Sequence, residues 1–265
     1  MALRFHKMHG LGNDFVVIDA REATPEIDAA RARALADRRT GIGCDQLILL
    51  DAGDDEADLT MRIWNADGSE VAACGNATRC VPVLAGRDVV IRTAAGLLDA
   101  HLTDGGAEVD MGPPRFEWDA IPLAYAMDTA RLPLAWDELA GPAAVNIGNP
   151  HLVFFVANAL SLPLEDLGPR IETDPAFPQR INVNVATILS RTHLVMRTWE
   201  RGVGLTRACG TGACATFACG RRLGLLDAEV RLDLPGGALE LSEGADGHLL
   251  MRGPAVHVFE GVTDL

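Results

Sequence analysis

The chain has 265 residues, 48% hydrophobic and 23% charged, enough for one large domain or two of ordinary size. Its 37 acidic against 23 basic residues leave a net charge of −14, which repels nucleic-acid phosphates and anionic lipid, so neither is an expected partner and plain solubility accounts for the acidity. The longest apolar run, Leu152 to Leu160, is broken by Asn158, and Arg4, His6, Lys7 and Asp14 interrupt the start, so neither a membrane span nor a signal peptide is expected, and a cytoplasmic protein is.

In chain order, Gly12-Asn13 forms a turn ahead of the apolar strand Phe15 to Ile18. Ile27 to Arg38, rich in Ala and Arg at helical spacing, predicts a helix, and Leu47–Leu50 and Leu59–Trp64 read as strands. Cys74-Gly75 opens a helix that Pro82 shortens or kinks and Gly86 closes. Strands follow at Asp88–Thr93, Leu98–Leu102 and Ala107–Met111. Pro113-Pro114 through Trp118 marks the domain boundary, giving halves of 1–117 and 118–253. Beyond Gly148-Asn149 comes another apolar strand, then a cleaner helix at Gly212–Leu223 stopped near Gly224, and strands at Val230–Leu234, Ala238–Leu241 and His248–Arg252. The final stretch, 254–265, with its apolar run Ala255–Phe259, is expected to return and pair with the first domain.

The chain reads as a doubled half. Gly12-Asn13-Asp14-Phe15-Val16-Val17-Ile18 is echoed by Gly148-Asn149-Pro150-His151-Leu152-Val153-Phe154 at an offset of 136. Cys74-Gly75-Asn76-Ala77 is echoed by Cys209-Gly210-Thr211-Gly212 at an offset of 135. Between these anchors Gln46 falls opposite Asn182, and Asn65 and Glu200 each lie nine residues before a cysteine. Gly-Asn and Cys-Gly turns recur singly in many chains. Four matches in one order point to two similar halves of domain size.

The cysteine loops carry the chemistry. Cys74 and Cys209 each precede a glycine and a helix start, where the partial positive charge of the helix terminus favours a thiolate. The glycine lets backbone N–H groups approach a carboxylate. Two such loops suit inversion of a carbon that bears a hydrogen. One sulfur removes the proton and the other returns one to the opposite face, while the amides of Gly75, Asn76, Gly210 and Thr211 stabilise the carbanion's charge. A cysteine at a helix start is elsewhere often an inert small residue; the pairing at the repeat offset favours the catalytic reading. Cys80, Cys214 and Cys219, inside the helices, and Cys44 are expected to be structural. No Cys-x-x-Cys pair appears, so no metal site is expected. Lys7 is the only lysine, which makes a pyridoxal-phosphate Schiff base improbable, and no cofactor is expected.

Met8-His9-Gly10-Leu11-Gly12-Asn13-Asp14-Phe15, Gly41-Ile42-Gly43-Cys44-Asp45-Gln46, Asn65-Ala66-Asp67-Gly68-Ser69 with its Cys-Gly-Asn, Gly148-Asn149-Pro150-His151 and Ala208-Cys209-Gly210-Thr211-Gly212 occur in one order. In that order they resemble the diaminopimelate epimerase family, from about residue 4 to 260. The resemblance implies an α+β fold of two pseudo-symmetric domains, each a curved, mostly antiparallel sheet or barrel around a central helix. It implies conversion of LL-2,6-diaminopimelate to the meso form in lysine and peptidoglycan-precursor synthesis, by a homodimer, with Cys74 and Cys209 as the two bases in a cleft between the halves. Substrate binding is implied for Asn13, Gln46, Asn65, Gly75, Asn76, Asn149, Asn182, Glu200, Arg201, Gly210 and Thr211, and tuning of the cysteines for His151 and Glu200. A cluster of amides fits a small amino-acid substrate, donating to carboxylates and accepting from ammonium groups without adding net charge. Asn13 and Asn149 alone would be turn-formers, and His151 alone a satisfied core histidine.

Pro82 with an early Gly86, Thr78 and Leu205 depart from the family pattern without touching the presumed reacting atoms. The runner-up is a racemase of another amino acid on the same fold. Proline racemase resembles the cysteine loops only loosely, lacking the Asn65 lead-in and the Glu200-Arg201 pair. A thiol-redox or metal-binding protein would need clustered ligands that the spacings do not provide.

Overall fold

The computed structural model describes residues 3–22 and 25–264. Residues 1, 2, 23, 24 and 265, to which the expected domain limits extend, lie outside the described residues. Two compact units divide the chain, Met1–Asp110 with Arg252–Leu265, and Met111–Met251. The first border falls before the Pro113-Pro114 stretch, and the reason is hydrogen bonding. Met111 N donates to Leu249 O (2.9 Å), Leu249 N to Gly112 O (3.1 Å), and Arg115 and Asn146 exchange backbone bonds, so the residues after Asp110 belong to the second unit.

The first unit contains β1 (Leu3–Gly10), β2 (Asn13–Asp19), α1 (Ala29–Ala36), β3 (Gln46–Ala52), β4 (Leu59–Asn65), β5 (Glu70–Val71), α2 (Gly75–Ala85), β6 (Val89–Thr93), β7 (Gly96–Thr103) and β8 (Gly106–Asp110). β1 pairs antiparallel with β2 and with the C-terminal strand Val256–Thr263. β2 runs parallel to β3 and β4 parallel to β6; the remaining neighbours are antiparallel. A parallel pair needs a crossover, and α1 and α2 lie in the two crossovers. α2 is buried from Gly75 through Pro82, and its buried polar side chains are hydrogen-bonded, Thr78 to Cys74 O and Arg79 to Asn76 Oδ1. It runs eleven residues through Pro82 and ends at Gly86, whose φ of 68° is left-handed and whose amide caps the Pro82 carbonyl.

The second unit repeats the plan. After the short β9 (Ala135–Trp136) and β10 (Leu139–Ala140) come β11 (Ala143–Asn146), β12 (Pro150–Phe155), α3 (Leu164–Glu172), β13 (Asn182–Ser190), β14 (His193–Glu200), β15 (Gly204–Thr206), α4 (Gly210–Arg222), β16 (Glu229–Leu234) and β17 (Gly237–Glu243), and then β18 (Leu249–Pro254), within which the chain passes back to the first unit at Arg252. β12 is parallel to β13 and β14 to β16, and α4 is buried along nearly its whole length. Even the register repeats: Phe15 faces Gln46 as His151 faces Asn182, and Trp64 faces Glu70 as Trp199 faces Leu205. Gly12 (φ 82°) and Gly148 (φ 81°) take the same left-handed turn before β2 and β12. Each unit is thus a mostly antiparallel sheet around a central helix, the α+β architecture the resemblance implied.

Candidate active site

Each cysteine is the N-cap of its unit's central helix, in extended backbone: Cys74 at φ −145°, ψ 109° and Cys209 at φ −126°, ψ 110°. The cause is topological. The second crossover of each unit leaves a strand, forms a short hairpin and enters the core as a helix, so the residue before the first helical turn arrives beside unsatisfied amides. Cys74 is half-buried and Cys209 buried. The Cys209 sulfur accepts the Gly212 amide at 3.3 Å and lies 3.5 Å from the Thr211 hydroxyl. Thr78 Oγ1 donates to Cys74 O at 2.9 Å and tightens the first turn of α2.

The other cysteines are buried thiols. Burial pushes Cys44 up to about 11 and Cys80 and Cys219 up to about 12, so these stay protonated and unreactive. Lys7 bonds the Asp14 carboxylate and the Gly43 carbonyl. Burial raises the Asp14 carboxyl, but hydrogen bonds from Arg38 and Lys7 outweigh it and hold the group well below the usual carboxylate range. Among the described residues, no group of three or more His, Cys, Asp or Glu side chains is placed to hold a metal ion.

In the first unit, Asn13 opens β2 and Asn76 lies in the first turn of α2. Asn76 Nδ2 donates to Asn13 Oδ1 (3.2 Å), and Asn13 Nδ2 to Asp45 (2.9 Å). Separately, Gln46 and Asn65 face each other across β3 and β4, with Gln46 Nε2 donating to Asn65 Oδ1 at 3.0 Å. Asn65 in turn donates to Ser69 Oγ (3.1 Å). Gln46 Oε1 is buried and, among the described residues, without a hydrogen-bond partner.

In the second unit, Asn149 Nδ2 points to Thr211 Oγ1 (3.3 Å) and its Oδ1 to His151 Nε2 (2.8 Å). Asn182 is clamped between the Pro150 carbonyl (2.8 Å) and the Arg201 amide (2.9 Å). Arg201 donates to Gln179 O at 3.0 Å, and Glu200 accepts from the Thr206 hydroxyl. Gly210 and Thr211 begin α4. Burial, and after it the charge of Arg201, pushes His151 down to about 3, so the imidazole is neutral at physiological pH.

Some contributors were missed from the sequence. Glu172, at the end of α3, accepts from Trp199 Nε1 (2.7 Å) and Gly202 N (3.0 Å) and so holds the turn that presents Arg201. Nothing local to Glu172 signals this. Asn184 and Thr198 face each other across β13 and β14, both buried, and bond side chain to side chain at 3.0 Å. Their signal was available: each stands two residues from a nominated one, Asn182 or Glu200, on the same face of its strand.

The diaminopimelate epimerase family model matches residues 5–117 and 143–258. A diaminopimelate epimerase of Zymomonas mobilis is 60% identical over all of this chain and 98% of its own length. One from Rhizorhabdus wittichii is 62% identical, over all of this chain and 97% of its own. Among solved structures, a phenazine biosynthesis protein of the PhzF family from Enterococcus faecalis matches with a TM-score of 0.72 at 13% identity, each chain covered in full. A probable proline racemase from Agrobacterium radiobacter matches with a TM-score of 0.68 at 18% identity, over 99% of this chain and 93% of that one. These two share the fold. By the matched model and by full-length relatives at this identity, the chain belongs to the diaminopimelate epimerase family.

Proposed function

We infer that the chain interconverts LL- and meso-diaminopimelate by a two-base reaction in which Cys74 and Cys209 exchange roles. The observation that carries this reading is the repeated N-cap cysteine in a chain of this family. One sulfur, as thiolate, takes the α-hydrogen as a proton, leaving its bonding pair on the carbon. The other, as thiol, delivers a proton to the opposite face of that carbon. One proton enters and one leaves, and the two sulfurs end with their charges exchanged. The reverse reaction then starts from the other half, for which a doubled fold is suited.

Amides at the heads of α2 and α4, from Gly75, Asn76, Gly210 and Thr211, are the donors for charge building beside the carboxylate. Asn13, Gln46, Asn65, Asn149, Asn182, Glu200 and Arg201 bind the carboxylate and ammonium groups, with Gln46 Oε1 an acceptor for an ammonium hydrogen. The reaction requires no cofactor and belongs to lysine and peptidoglycan-precursor synthesis, in the cytoplasm, by a homodimer; sedimentation that returns a monomer would remove the last of these.

Incubation with LL-diaminopimelate in D2O tests the reading. Deuterium at the α-carbon together with meso product is expected. Label entering L-proline, L-histidine or L-glutamate but not diaminopimelate would overturn it. Cys74→Ala and Cys209→Ala are each expected to lower turnover by more than about 10³-fold, the scale of losing a proton-transfer group. Cys→Ser variants should retain little, because a hydroxyl is a far poorer base. Turnover preserved in either alanine variant removes that residue from the mechanism.

A further inference from the structure

The two units share one register, yet three buried positions differ in kind. Phe15, Ile48 and Ile63 in the first unit stand where His151, Asn184 and Thr198 stand in the second. All six are 2% exposed or less. The fold is built with apolar residues at these sites in one half, so it does not require a polar trio in the other. Buried polar groups carry a desolvation cost that apolar ones avoid. The same contrast reaches the central helix. Ala77 of α2 matches Gly212 of α4, and a Cβ on Gly212 would stand 2.5 Å from Asn184 Oδ1 and 3.2 Å from Thr198 Oγ1. The polar side chains occupy the space that alanine's methyl would fill.

The trio has a direction. The Leu152 carbonyl only accepts, and Asn184 Nδ2 lies 2.8 Å from it, which fixes the orientation of the amide. Asn184 Oδ1 then takes the Thr198 hydroxyl, and the remaining Nδ2 hydrogen points at His151 Nδ1, 3.1 Å away. A ring nitrogen that accepts leaves the proton of a neutral imidazole on the other nitrogen. Nε2–H therefore donates to Asn149 Oδ1 (2.8 Å), and Asn149 Nδ2 donates to Thr211 Oγ1 (3.3 Å). Having accepted there, the Thr211 hydroxyl has its own hydrogen for the Cys209 sulfur at 3.5 Å.

We propose that Asn184 is a positioning residue for Cys209: by fixing His151 as the Nε2–H tautomer it orients a one-way chain of donors, His151 to Asn149 to Thr211, that ends on the Cys209 sulfur and favours its thiolate. The corresponding bonds of the first unit run from Asn76 to Asn13 to Asp45, away from the helix that bears Cys74. His151 thus acts as a fixed, neutral donor, consistent with its pKa pushed down to about 3. Hydrogen bonding to the charged form of a group favours that form, and each bond in a chain polarises the next.

α4 packs against β11, β12, β13 and β17. The titratable groups those strands carry are His151 and, on β17, Glu240 and Glu243, the last paired with Arg221 near the far end of the helix. At the end of β14, Glu200 is engaged by Thr206, and Arg201 by Gln179. The first turn of α4 carries no acidic side chain.

The proposal rests on Cys209 being one of the two bases, but its test needs no substrate. In long-range ¹H–¹⁵N spectra of the intact protein, His151 is expected as the Nε2–H tautomer; an Nδ1–H tautomer would overturn the proposal without touching the epimerase reading. The second measurement is the pH dependence of Cys209 alkylation by iodoacetamide, followed on its own peptide. Asn184→Leu and Thr211→Val are each expected to reduce Cys209 thiolate at neutral pH by about three- to tenfold, the range of a typical single hydrogen bond. Thr211→Ser should restore the wild-type profile. Adding Asn184→Leu to Thr211→Val should change nothing further, because the chain is already cut at its end. Additive effects, or an unmoved profile in Asn184→Leu, overturn the proposal. Should Asn184→Leu fail to fold, the tautomer of the wild-type protein still decides.

Discussion

At the residue scale, His151 shows how burial converts a titratable group into a fixed one. Its pKa, pushed down from 6.5 to about 3, means that the unfolded chain binds a proton below pH 6.5 which the folded chain does not. The sign follows: stability is lost as pH falls from 6.5 towards 3, at up to about 1.4 kcal/mol per pH unit from this residue. Urea unfolding of His151→Phe at several pH values between 6.5 and 5 should show a correspondingly flatter dependence; an unchanged slope would mean that the imidazole ionises inside the fold. Gly86 is a simpler case. Its φ of 68° is costly for any residue with a Cβ, although a Cβ there would meet nothing within 4 Å. Gly86→Ala should cost about 1 kcal/mol in urea unfolding from conformation alone, without changing turnover.

At the element scale, the repeated strands separate what the fold needs from what one half adds. β2, β3 and β4 use Phe15, Ile48 and Ile63 where β12, β13 and β14 use His151, Asn184 and Thr198. Transplanting the first set into the second, as His151→Phe, Asn184→Ile and Thr198→Ile together, removes all three polar side chains at once rather than orphaning one of them. The triple variant is expected to stay within about 2 kcal/mol of the parent in unfolding free energy, or to gain, while its epimerisation falls. Unfolding of the triple at 25 °C would show that these polar groups support the fold itself. The central helices differ in the same spirit. α2 tolerates Pro82 because its surroundings, not its propensity, hold it: the helix is buried from Gly75 to Pro82.

At the scale of the whole molecule, the chain leaves its first unit at Asp110 and returns at Arg252. The C-terminal strand pairs with β1 from Leu3↔Thr263 to His9↔Val256, so the last residues complete a sheet begun by the first. Truncation before Val256 should therefore expose the edge of β1 and abolish cooperative unfolding of the first unit, read as a lost transition by circular dichroism. The doubling was legible in the sequence because Gly-Asn turns and Cys-Gly helix starts are local necessities: a left-handed φ admits glycine, and a buried helix start needs small residues. With it came the strands that follow those turns and the helix starts at Cys74 and Cys209. α3 escaped a definite prediction because Pro169 and Gly168 interrupt its pattern, and Gly168 is there to let the Trp199 ring lie against the helix. The border at Asp110 escaped too, since it depends on which sheet Met111 and Gly112 bond to, a long-range pairing that proline placement does not encode. By itself, the sequence determined the repeat, the family and the placing of Cys74 and Cys209 at two helix starts, all properties of residue type and spacing along the chain. Only the tertiary structure decided the partners of Asn184 and Thr198, because strand register brings together side chains that no spacing along the chain connects.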